Sequence, residues 1–184
     1  MAIAKSKNSE RALIKKSLNN KMKEELINIV LDLYSISKEN KDFLGVKLLQ
    51  SSDALESYRE EIKTYLAPDR PWDNEISISK AKKAISNFRK ASNNPIGLID
   101  LMVYYVECGT EFLCEYGDMY EQYYMSLESV FENVLKKLKV YEVDQIADFI
   151  ARLEKVVRKA YDMGWGYYDN ISYMLNNAYG DVTV

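Results

Sequence analysis

Apolar residues recur at three- and four-residue intervals along almost the whole of this chain, a period that fits amphipathic helices and not alternating strands. The 184 residues include only 7 glycines and 3 prolines, too few for a sandwich or barrel with many tight turns. The pattern predicts an all-α fold of about nine helices. Helices are expected over about 9–18, 21–36, from Ser37 through Leu49, from near Asp53 to Leu66, and over 78–92. Asn94-Pro95 reads as a cap followed by proline at the first helical position. That helix should run to Tyr116 and stop at Gly117, and Asp118, with Glu121 three residues on, reads as the cap of the next. Two further helices are expected over about 142–163 and 167–178, with Gly164 as a stop and the tail from Gly180 frayed. Short connections favour antiparallel helical hairpins, assembled as an irregular bundle or a solenoid-like stack. No self-similar repeat of about 33–47 residues is present. One domain over 1–184 is expected, with possible sub-layers 9–66 and 77–179 around the proline-containing loop 67–76.

The missing residues narrow the chemistry. Histidine is absent, so no Ser-His-Asp or Cys-His machinery and no histidine metal site can form. Cys108 and Cys114 lie about 120° apart around a shared helix, a poor disulfide geometry, and read as small core residues in a reducing compartment. No secretory leader and no run of about 18 apolar residues is present, so a cytoplasmic chain without a membrane partner is expected.

Charge is unevenly placed. Residues 1–92 carry 18 Lys/Arg against 13 Asp/Glu, and residues 93–184 carry 7 against 15, for a net charge of −3. No cation lies between Lys90 and Lys136. The basic segment 80–90 directly precedes that acidic stretch, so the two are expected to pair internally. With a pI near 5.2, nucleic-acid binding is disfavoured.

Several strings are more specific than periodicity requires: Ser77 through Ile85, Tyr104 through Phe112, Tyr116-Gly117-Asp118, Tyr123 through Glu128, and Gly164-Trp165-Gly166-Tyr167-Tyr168-Asp169. Together with the Ser37–Asn40 turn, they make residues 12–178 resemble a family of small all-helical bacterial proteins, domain of unknown function 6155. The resemblance implies a bacterial, cytosolic, continuous helical unit. It implies no activity, cofactor or partner.

The candidate site is the segment 95–139. Glu107, Glu111 and Glu115 form one helical stripe at i, i+4 and i+8, mutually repulsive unless cations face it. Oxygen ligands of this kind suit hard cations, but without an aspartate-rich loop no metal site and no cofactor is assigned. Tyrosine is over-represented, with 15 in the chain. Tyr104, Tyr105, Tyr116, Tyr120, Tyr123 and Tyr124, with neighbouring carboxylates such as Asp118 as partners for their hydroxyls, would make either a polar-lined core or an aromatic-acidic groove for a cationic side chain or peptide. Trp165 is expected to staple a corner of the core, the alternative being a binding role shared with Asp169, and Trp72 to plug its loop or else to serve as a contact hot spot. No catalytic residue is assigned. The reading that follows is a non-enzymatic protein-interaction module with an unidentified protein partner. The alternative is a small-ligand-binding protein or an enzyme restricted to carboxylate and tyrosine chemistry.

Overall fold

The computed structural model describes residues 2–49 and 52–180. Among these residues the regular structure is entirely helical. The helices are α1 (Ala2–Asn19), α2 (Lys23–Ile36), α3 (Lys38–Leu44), α4 (Ser52–Leu66), α5 (Ile78–Ala91), α6 (Pro95–Tyr116), α7 (Glu121–Leu138), α8 (Val143–Lys159) and α9 (Tyr167–Tyr179), with a π-helical turn over Gly45–Leu49. The all-α expectation therefore holds. The tail from Asp181, and the side chain of Asp53 expected near the start of α4, lie outside the described residues.

The chain forms two compact units, Met1–Leu44 and Gly45–Val184. This differs from the expected sub-layers on either side of 67–76. That loop joins rather than divides: the Ser77 N–H donates to the Tyr65 carbonyl across it (2.7 Å), and α4 packs along α5. In the first unit α2 packs on α3, and the Ser37 hydroxyl between them accepts from the Asn40 N–H (3.1 Å), the local cap its sequence suggests. No residue of α2 or α3 is buried.

The second unit is a helical bundle centred on α6, which packs against α4, α5, α7 and α8, while α9 covers α7 and α8. Thirteen of the 22 residues of α6 are buried, as expected of a helix that is apolar nearly all round. Its start follows the sequence closely: Asn94 Oδ1 accepts from the Gly97 N–H (2.9 Å), with Pro95 in the first turn. Gly117 ends it at φ +89°, its N–H donating to Leu113 O (3.0 Å). Midway, a Cβ on Gly109 would stand 2.4 Å from a methyl of Leu127, so the absent side chain is what lets α6 and α7 approach. Among the described residues no helix is long and apolar enough to cross a membrane.

Candidate functional site

Two of the three carboxylates of the α6 acidic stripe, Glu107 and Glu111, are paired internally, and by different cations from those expected. Arg152 of α8 grips Glu107 with two bonds, Nε to Oε1 (2.8 Å) and Nη2 to Oε2 (2.6 Å). Its Nη1 reaches Asp100 Oδ1 (2.6 Å), and Arg59 of α4 takes the other Asp100 oxygen. The four side chains are only 17–29% exposed. Farther along, Lys159 pairs with Glu111. The bonds to Glu107 and Asp100 hold the Arg152 guanidinium well above its ordinary range despite partial burial. Burial alone would lower Arg59, but its bonds to Asp100 and Glu56 more than offset that and raise it. The expected pairing with the basic segment 80–90 is thus corrected: Lys80 pairs with Glu75, and the stripe is answered from α8 and α4. Arg59, Asp100 and Arg152 were not singled out in the sequence. Asp100 and Glu107 are seven residues apart, two helical turns on one face, which was the available signal.

The tyrosines divide into core and surface. Tyr123 is fully buried and its hydroxyl donates to the Leu66 carbonyl (2.8 Å). Tyr105 shares a hydrogen bond with Ser126 (2.6 Å), and Tyr167 of α9 with Thr110 (2.8 Å). Tyr124 is buried, donates to Asp118 and packs edge-on to Tyr167. Burial pushes Tyr105 and Tyr124 up to about 12, and Tyr123 and Tyr167 higher. Tyr104 is half-buried under the Arg59 guanidinium, 5.6 Å from its ring centroid, and burial pushes it too up to about 12. Most of these hydroxyls are satisfied by Ser, Thr or backbone, not by the neighbouring carboxylates expected to serve them. Tyr105, Tyr123 and Tyr124 are therefore unavailable as a contact surface.

Other expectations need correcting. Asp118 does not cap α7: the helix begins at Glu121 with Tyr120 at the cap, and Asp118 is engaged by the Tyr124 hydroxyl and by the Met119 N–H (3.1 Å). Trp165 is no core staple. It sits at φ +59° on the turn before α9 and is 55% exposed, while the buried aromatic there is Tyr167. Asp162, Trp165 and Gly166, not Gly164, take the left-handed conformation. Asp169 is exposed in the first turn of α9. Cys108 is buried, and burial lifts its thiol to about 11, but Cys114 is exposed. Among the described residues no three Cys, Asp or Glu side chains converge as a metal ion requires.

What reaches solvent is an aromatic ledge at the C-terminal end of α6. Five rings follow one another: Trp72, Tyr116, Phe112, Tyr123 and Tyr120, at centroid spacings of 6.4, 4.8, 6.0 and 6.3 Å. Phe112 and Tyr123 are buried and anchor the run. Trp72, Tyr120 and Tyr116 emerge from it, 72%, 45% and 36% exposed. The Tyr116 hydroxyl donates to the Asp69 carbonyl (2.7 Å), tying the ledge to the 67–76 loop. Glu115 and Glu121 are exposed beside Tyr116 and Tyr120 in sequence. Trp72, expected to plug its loop, is the most exposed ring of the group. No family model, curated protein or solved structure matches the chain.

Proposed function

We propose that this protein is a helical interaction module that docks a basic segment of a partner protein on the ledge of Trp72, Tyr116 and Tyr120. The observation that carries the reading is the exposure of these rings on buried aromatic anchors. Exposed Trp and Tyr held in one geometry lose little conformational freedom on binding, and they are the residue types that dominate contact energies. Their ring faces attract ammonium and guanidinium groups, and the exposed Glu115 and Glu121 add negative charge, that of Glu115 shared with Lys63, which is itself paired with Asp69.

The test is a peptide array probed with the folded protein and with a Trp72→Ser/Tyr120→Ser double variant. Both positions are exposed, so helicity and melting should be unchanged. Lys/Arg-containing peptides should be retained by the parent and weakened at least about tenfold in the variant, the effect of losing roughly 1.4 kcal/mol or more of contact energy. Equal binding by parent and variant would refute the assignment of the ledge.

A further inference from the structure

The basic segment left over by the acidic stripe faces a cleft of its own. Lys82 and Arg89 stand at i and i+7 on α5, and Lys137 faces them from α7, around a cleft of about 340 Å³. That volume is in the range of small-ligand sites, about 300–1,000 Å³. The floor is apolar, made by Ile85, Leu98, Met102 and Val130 from three helices. Ser86, Ser129 and Asn133 add hydrogen-bonding groups at the rim, and the Asn133 amide is steadied on the Ser129 carbonyl (2.7 Å). Among the described residues no carboxylate lines the cleft.

The cations of the cleft differ from those already paired elsewhere in the molecule. Lys21, Lys63, Lys80, Lys136 and Lys159 all have a carboxylate within 4 Å. Lys82, Arg89 and Lys137 make no ion pair among the described residues. Lys82 is half-buried, and burial, with no anion to offset it, lowers its ammonium below the ordinary range. Three cations gathered over an apolar floor repel one another, and the arrangement is stabilised when an anion sits between them. A second cleft, of about 390 Å³ beside the 67–76 loop, shows the contrast. It is lined by Glu60 and Asp69 as well as Lys63 and Arg70, and Lys63 already pairs with Asp69 (2.7 Å).

We propose that the α5–α6–α7 cleft binds a small organic anion, an apolar body carrying a phosphate or carboxylate head. The body lies on Ile85, Leu98, Met102 and Val130. The head meets Lys82, Arg89 and Lys137, with the Ser86 and Ser129 hydroxyls as additional donors. This site is separate from the aromatic ledge and rests on different residues.

Octyl phosphate, octanoate, inorganic phosphate and the uncharged octyl glucoside are the probes, titrated into the full chain by calorimetry. Octyl phosphate or octanoate should bind saturably at one site, inorganic phosphate about tenfold or more weaker because it lacks the body, and octyl glucoside not measurably. Whichever of octyl phosphate and octanoate binds tighter identifies the head group. Lys82→Gln and Arg89→Gln, both at positions whose removal leaves no carboxylate unpaired, should each weaken binding about tenfold. Ser129→Glu, which places a carboxylate among the cations, should abolish it with the melting temperature retained. Absence of binding by both octyl anions would overturn the proposal. So would binding that is shared by octyl glucoside or indifferent to the three substitutions.

Discussion

Helices α2 and α6 are both rich in large apolar residues, yet α6 buries thirteen residues and α2 buries none. In α2, Ile27, Leu31 and Tyr34 follow one stripe at i, i+4 and i+7, and each is 45–58% exposed. The local sequence rules that make these two helices are the same. What differs is the number of neighbours: α6 has helices on four sides, whereas α2 within its unit packs on the seven-residue α3. Apolar periodicity therefore specifies a face that can be buried, and the arrangement of other elements decides whether it is. Stability should be concentrated around α6 and nearly absent around α2.

The most severe test of that contrast is alkali. The phenols of Tyr105 and Tyr124 are raised to about 12, and those of Tyr123 and Tyr167 further. Above about pH 10 the unfolded chain releases these protons while the folded chain keeps them, so stability present at neutral pH falls as pH rises. The bundle should unfold cooperatively between about pH 10 and 12, with the buried tyrosines ionising in the same step. Ultraviolet absorbance of tyrosinate followed beside circular dichroism checks this. Tyrosinate formation complete before helix loss would contradict the burial described for α7 and α9.

Smaller effects follow in order. Phe131→Ala removes a fully buried ring from α7 and should cost about 3–5 kcal/mol in denaturant unfolding. Arg152→Met leaves Asp100 and Glu107 facing each other with one shared cation gone, and about 2–3 kcal/mol should be lost. Adding Asp100→Asn and Glu107→Gln to that variant should restore most of the loss, since the repulsion is then removed. At the bottom of the scale, Leu31→Ser on α2 should change stability by less than about 0.5 kcal/mol. A loss of several kcal/mol there would show that α2 is as well packed as α6, and the comparison would fail.

Much of this was legible in the sequence where a single local interaction decides the outcome. The Asn94-Pro95 start, the Gly117 stop and the Ser37 break are each made within three or four residues. The failures lie where distant residues compete. Asp118 has the chemistry of a cap, but the Tyr124 hydroxyl takes its oxygen. Trp165 and Tyr167 sit two residues apart on the same turn, and only the packing of α9 on α7 decides which ring goes inward. The α6 carboxylates were rightly seen to need cations, but periodicity gives faces and not neighbours, so Arg152, Lys159 and Arg59 stayed hidden. The same limit applied to the tyrosines: spacing placed six of them on one pair of helices, and only the packing separates the buried Tyr123 from the exposed Tyr120 three residues earlier.

The central claim, that the Trp72–Tyr116–Tyr120 ledge docks basic segments, has a direct optical test. The chain has two tryptophans, so Trp165→Phe leaves Trp72 as the only indole. Titration of that variant with an Arg/Lys-rich peptide should shift and saturate its fluorescence, with affinity falling as salt rises. A peptide of equal length with Glu in place of each cation should leave the emission unchanged. If neither peptide moves the Trp72 signal, or both move it alike, the ledge is not a site for basic partners.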